Sequence, residues 1–220
     1  MESLSFDLLF ALVDKKLAEE GIPLPSVSQI ALTGRDAYKI LFSTILSLRT
    51  KDAVTIEASM RLFEKADDIK AFSSLDEETV SSLIYPVAFY KRKASSLKKI
   101  ADILIKDYDG EVPSTMEALL ALPSVGLKTA SLTLNLAYGI NAICVDCHVH
   151  QVLNRLGLVD TKSAEETEKV LRKILDEKYW IPLNERLVMF GQRICTPISP
   201  FCSACPLEGY CAKKGVRKSR

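Results

Sequence analysis

The stretch from Leu122 to His148, LPSVGLKTASLTLNLAYGINAICVDCH, constrains this chain more than any other. An amphipathic run (Met116, Leu119, Leu120) ends in Leu122-Pro123-Ser124-Val125-Gly126, and a second run (Ala130, Leu132, Leu134, Leu136, Ala137) begins at once. Apolar spacings of three and four on both sides of a turn describe two helices joined by a tight connection. Pro123 stops the first helix, because its ring cannot continue the hydrogen-bond ladder, and Gly126 supplies backbone freedom. A helix start exposes N–H groups at the positive end of a dipole, so the amides around Val125 to Lys128 suit a phosphate, whatever is attached to it. Lys128 falls in that first turn, where a cation is disfavoured by about 0.3 to 1 kcal/mol. The same dipole end, with partial burial among Leu122, Val125 and Leu127, favours the neutral amine that a lysine nucleophile needs. A solvated surface lysine is the alternative. Asp146 precedes a third helical pattern (Val149, Val152, Leu153, Leu156, closed by Gly157), where it is either an N-cap or a functional carboxylate.

The rest of the chain is written in the same style. An N-terminal amphipathic run is broken by Gly21-Ile22-Pro23-Leu24-Pro25, a boundary. Helices are expected over Ala37 to Leu48, Ala53 to Lys65 and Arg92 to Asp107, with Tyr85-Pro86-Val87-Ala88-Phe89-Tyr90 as a bulky turn before the last. No period-2 strand of convincing length and no internal repeat occurs, so the fold class is all-α. With 220 residues and 48% hydrophobic side chains the chain can bury a real core.

Lys and Arg number 29 against 28 Asp and Glu, so net charge does not announce a nucleic-acid partner. Distribution says more: acids gather from Glu64 to Glu78, whereas Lys91, Arg92, Lys93, Lys98 and Lys99 form one basic cluster and Lys213, Lys214, Arg217, Lys218 and Arg220 a basic tail. Each cluster is read either as an anion-binding face or as plain solvated surface. Glu2 and Asp7 stand where an export signal would want positive charge, and no apolar run approaches the roughly 20 residues that span a membrane. The expectation is an intracellular protein, of the cytoplasm or nucleoid of a prokaryote, with no membrane partner. Its cysteines then read as metal ligands or thiols rather than disulfides.

Cys195, Cys202, Cys205 and Cys211 give C-x6-C-x2-C-x5-C. Four cysteines so close make a metal site; zinc accepts four thiolates, but a zinc ribbon presents two C-x2-C pairs and only one stands here. A four-iron four-sulfur cluster suits the compact spacing better. Cys144-Val145-Asp146-Cys147-His148 matches the C-x-x-C-H attachment pattern of c-type haem, which requires export, and a zinc site from Cys144, Cys147, His148 and His150 is a further alternative. Buried, inert thiols are the plainer reading of Cys144 and Cys147.

LPSVGLKTA, with VDCH placing an aspartate eighteen residues after the lysine, resembles the helix-hairpin-helix of the endonuclease III family of DNA glycosylase/AP lyases, whose usual form is LPGVGxKTA with VDTH. Ser124 replaces the first hairpin glycine and Cys147 the threonine. LSLRTKD (Leu46 to Asp52) and AFYKRKA (Ala88 to Ala94) resemble the family's LSxQTxD and GLYxxKA, with Arg49 and Phe89 in place of a glutamine and a leucine. The resemblance implies Lys128 as nucleophile on the sugar, Asp146 as its assistant, and Arg49 and Phe89 as residues that enter the gap left by an extruded base. It also implies DNA contacts from Ser124, Val125, Gly126 and His148, and a 4Fe-4S cluster on Cys195, Cys202, Cys205 and Cys211. The loop between the first two cysteines, Thr196 to Phe201, lacks the basic residues the family carries there. The implied architecture is two helical domains with a DNA-binding cleft between them: a six-helix domain over 30–139, and a cluster domain built from 1–29 and 140–220. The implied activity is base excision repair by a monomer, removing damaged bases, oxidised pyrimidines above all, from double-stranded DNA and nicking at the abasic site by β-elimination. A mismatch-specific glycosylase of the same superfamily and a non-catalytic DNA-binding or redox module are the alternatives.

Overall fold

Side chains that cap helix starts divide this chain into its elements, in a computed structural model that describes residues 4–220; Glu2 lies outside them. Ser5, Asp36, Asp68, Asp76, Thr115, Asp146 and Ser163 each accept a backbone N–H in the first turn of the helix they precede. In order the helices are α1 (Phe6–Glu19), α2 (Ser26–Ala31), α3 (Ala37–Ser47), α4 (Asp52–Lys65), α5 (Ile69–Ser74), α6 (Glu77–Ile84), α7 (Tyr90–Tyr108), α8 (Met116–Ala121), α9 (Leu127–Thr133), α10 (Cys147–Leu156), α11 (Ala164–Ile174) and α12 (Trp180–Arg193). Regular structure among the described residues is helical throughout, as the absence of period-2 patterning requires. None of these helices is long and apolar enough to cross a membrane.

The chain divides into one compact unit, Ser26–Ala142, and a second made of Met1–Pro25 and Ile143–Arg220. These limits lie a few residues from the boundaries expected at 29/30 and 139/140. The first unit holds eight α-helices among the described residues where six are expected; the surplus comes from short helices such as α2 and α5, of six residues each. Its core is aromatic at one end: Phe42 and Phe72 meet edge to face at 4.9 Å, and Tyr38 meets Phe42 edge-on at 4.6 Å while its hydroxyl donates to the Ala66 carbonyl at 3.1 Å. α7, the longest helix, lays Ala94, Leu97, Ile100, Ala101 and Leu104 along one buried face. Each buried leucine there contributes about 1.5–3 kcal/mol relative to exposure.

The unit closes where Asn135 clamps the chain's return, its amide donating to Ala142 O at 2.9 Å and its carbonyl accepting from Ala142 N at 3.0 Å. In the second unit Leu9, Phe10, Val13 and Leu17 of α1 join Val152 and Leu153 of α10 and Leu183, Leu187 and Phe190 of α12 in one buried cluster. The two ends of the sequence thus share a core.

Candidate functional site

The hairpin forms as its sequence requires, with one redistribution of backbone freedom. α8 ends at Ala121 with Leu122 as its C-cap, and the turn closes through Val125 N–H donating to Leu122 O at 3.3 Å. Leu122 and Val125 are buried, anchoring the turn in the core of its unit. Gly126 has φ −104° and ψ −179°, which any residue adopts, so the freedom assigned to it goes unused. A Cβ there would meet nothing within 4 Å; what the glycine contributes is an N-cap with no side chain in front of the amides. The left-handed residue is Ser124, at φ 63°, where a serine costs about 1–2 kcal/mol more than a glycine. Its Oγ accepts a hydrogen bond from Ser96 Oγ at 2.7 Å, which ties the tip of the turn to α7. Serine in place of the family glycine therefore both strains the turn and fastens it.

Lys128 is the second residue of α9 and is half-buried; Leu127, expected to help cover it, is itself 43% exposed. α9 then widens into a π-helical turn over Leu134–Tyr138, ended by Gly139 at φ 64°. Such insertions concentrate at functional sites.

Two other turns of this unit carry the substituted positions. Arg49 follows α3 and Phe89 precedes α7, and both have φ 57°. The Arg49 guanidinium lies over the Phe89 ring, 5.1 Å from its centroid, and both side chains are exposed, Phe89 by 52%. Arg61 braces the turn before Phe89, donating from Nε to Leu83 O at 2.9 Å and from Nη2 to Tyr85 O. Arg49, Phe89 and Ser124 line one cavity of about 600 Å³, joined by Pro123, Arg92 and Lys99. The structure therefore brings together three of the residues singled out in the sequence, with Val125 and Gly126 next along the turn.

The basic cluster separates into distinct jobs that charge alone did not announce. Arg92 and Lys99 face the cavity, and Lys98 closes the end of α5 by donating to Ser73 O at 2.7 Å and Leu75 O at 2.6 Å. Lys93 is buried, 8% exposed, with burial pushing its ammonium down to about 8. Lys91 alone is simple surface among the five.

In the second unit Asp146 is buried and caps α10: its Oδ1 accepts from His148 N at 2.9 Å and from Val149 N at 3.0 Å. His148 is half-buried against α12, where Gly191 leaves room for it; a Cβ at Gly191 would stand 2.8 Å from His148 Nδ1. The zinc set proposed from Cys144, Cys147, His148 and His150 does not assemble. Cys144 is buried, Cys147 is exposed, and His150 Nδ1 is engaged by Thr167 Oγ1 at 2.7 Å.

Cys195, Cys202, Cys205 and Cys211 line one pocket with Val152, Leu156, Phe190 and Phe201. Among the described residues, though, no three His, Cys, Asp or Glu side chains are disposed to hold a metal ion. The donor set itself, four thiols in one apolar pocket, is the kind that a thiolate-held metal group takes. Burial pushes the thiols of Cys195 and Cys211 up and that of Cys205 to about 11, so ionising these three calls for a cationic guest. The pocket also supplies donors to sulfur: buried Arg155 reaches Cys195 Sγ at 3.4 Å from Nη1, and Lys213 N–H reaches Cys211 Sγ at 3.3 Å. Arg155 further holds the Thr196–Pro197 backbone, donating to Thr196 O and Pro197 O at 2.8 Å each.

Residues 42–177 match the model of the HhH-GPD superfamily base excision DNA repair proteins, a span that includes the hairpin and Asp146 and stops short of the four cysteines. Endonuclease III of Thermotoga maritima is 42% identical over 176 residues, covering 80% of this chain and 83% of the relative. The chloroplastic endonuclease III homolog 2 of Arabidopsis thaliana is 43% identical over 183 residues, which is 79% of this chain but 47% of that protein, so the chain spans about half the plant relative's length. A solved structure described as a trapped endonuclease III–DNA covalent intermediate, in an estranged-adenine complex, superposes with a TM-score of 0.83 at 31% identity, over 96% of this chain and 97% of that one.

Proposed function

The chain belongs to the endonuclease III family of the HhH-GPD superfamily of base excision DNA repair proteins, and from that premise we propose which of its residues carry the reaction and on what substrate. It is a DNA glycosylase with lyase activity at abasic sites. The substrate is double-stranded DNA holding a damaged base, an oxidised pyrimidine above all, or an abasic site, and the protein works inside the cell as a monomer.

A base within a duplex hides its glycosidic bond, so the damaged nucleotide must leave the stack, and a damaged base is cheaper to extrude. The amides after Ser124 hold the backbone phosphate, with His148 as a further contact. Arg49 and Phe89 enter the vacated space, where the guanidinium donates to O6 and N7 of a guanine opposite the lesion. Lys128 Nζ bonds to C1′ while the glycosidic bond breaks and the base departs with its electron pair. The Asp146 carboxylate takes the proton the amine sheds and stabilises positive charge on the sugar. Opening of the ring leaves a Schiff base, which acidifies the C2′ hydrogens; loss of one of them breaks the C3′–O bond and releases the 3′ phosphate. A 4Fe-4S cluster held by Cys195, Cys202, Cys205 and Cys211 supplies rigidity to the C-terminal loop and a redox centre when bound.

The observation that carries this reading is a lysine in the first turn of a helix whose N-cap is a glycine, behind a turn anchored by Leu122 and Val125. A panel of duplex oligonucleotides, each with one lesion, tests it. Oxidised pyrimidines are expected to be excised and the strand nicked. Cleavage confined to undamaged mismatches would favour the mismatch glycosylase instead, and binding without cleavage the non-catalytic module.

A further inference from the structure

One buried cation joins the segments that present Arg49 and Phe89. Lys93 stands in the first turn of α7, and its Nζ donates to Leu46 O at 2.9 Å, Leu48 O at 2.7 Å and Thr50 Oγ1 at 3.4 Å. Two of these acceptors flank Arg49 directly. Thr50 Oγ1 in turn accepts from Ala88 N at 3.2 Å, and the Lys93 backbone N–H donates to Phe89 O at 3.0 Å. A continuous chain of hydrogen bonds therefore runs from one side of Arg49, through Thr50, to both sides of Phe89.

The chemistry of the group fits this task. An ammonium has three N–H donors and faces three acceptors here, whereas a neutral amine has two. None of the three partners is a carboxylate, so charge pairing does not explain a cation at 8% exposure. Leu46 O and Leu48 O belong to the end of α3, where carbonyls lack helical partners and a positive charge is favoured. Arg49 and Phe89 both hold a left-handed backbone that side-chain-bearing residues keep only when their surroundings insist on it. Lys93 borders the cavity, but its ammonium is already committed to the backbone on either side of Arg49.

We propose that Lys93 is a positioning residue for base excision: its three hydrogen bonds lock the Arg49 segment and the Phe89 turn into one register, so that both side chains reach the emptied base position together. The proposal rests on the roles given to Arg49 and Phe89 above. Lys93 itself touches no reacting atom.

Lys93→Met keeps the length and removes every donor; Lys93→Gln keeps two. The measurement is the rate of excision from a lesion-bearing duplex divided by the rate of strand cleavage at a preformed abasic site, where little stacking remains to be disrupted. Lys93→Met is expected to lower that ratio by about ten- to a hundredfold, the scale of a small misplacement, and Lys93→Gln by less. Amide hydrogen exchange at residues 48–50 and 88–89 is expected to quicken in Lys93→Met, and combining it with Phe89→Ala should lower the ratio by less than the product of the two single effects. If Lys93→Met does not fold, the same comparisons are made on Lys93→Gln. Unchanged exchange at those amides, or an unchanged ratio alongside a Phe89→Ala variant that lowers it, overturns the proposal while leaving the role of Phe89 intact. A Phe89→Ala variant with a wild-type ratio overturns the role of Phe89, and the proposal falls with it.

Discussion

Ser124, Arg49 and Phe89 share a left-handed backbone, and none of the three side chains announces it. In the family form a glycine marks the hairpin tip; the serine here hides the same conformation, which only the folded turn and its Ser96 partner reveal. Lys93 stands at the lysine of the GLYxxKA pattern, but its burial was not legible, because five basic residues on adjacent helical turns have one composition and several environments, and packing decides which is buried. Its burial has a thermodynamic signature. The folded protein holds the ammonium at about 8 against 10.5 for an ordinary lysine, so between about pH 8 and pH 10.5 the unfolded chain binds more protons than the folded one. Stability from this group therefore rises as pH rises through that window, by at most about 3 kcal/mol, and is flat below it, where both states are protonated. Denaturant unfolding across pH 7–11 should show wild-type protein gaining stability relative to Lys93→Met; parallel curves would mean that the lysine titrates normally.

At the scale of elements, the long amphipathic helices and the hairpin were legible because their apolar spacing is regular and their ends carry caps. α2 and α5 were not, since six residues offer less than two turns of pattern, and the π turn after α9 leaves the apolar spacing in sequence unaltered. Asp146 stands where two readings meet, for the cap it makes on α10 is a complete structural reason for its presence. Asp146→Asn separates them. The amide carbonyl can still accept from His148 N and Val149 N, so stability should move by less than about 1 kcal/mol, while excision and lyase rates fall by about a hundredfold or more. An Asp146→Asn variant as active as wild type would leave this residue as a cap only.

At the scale of the molecule, the first and last segments share a core, a pairing that no local pattern encodes and that only the family resemblance implied, with limits a few residues away. The cysteine spacing was legible in full, because ligands close in sequence need little help from the fold; the buried Arg155 that supports Cys195 was not. Aerobically purified protein is expected to be yellow-brown, with broad visible absorption and iron bound, and a colourless, zinc-loaded, fully active protein would contradict the cluster assignment.

The central claim is that Lys128 forms the covalent bond to DNA. Borohydride reduction during turnover of a damaged duplex tests it most directly, because only an imine between protein and sugar is trapped as a stable adduct. The account predicts an adduct with the wild-type chain and none with Lys128→Gln, whose DNA binding survives; an adduct formed by Lys128→Gln at the wild-type rate would assign the chemistry to another amine.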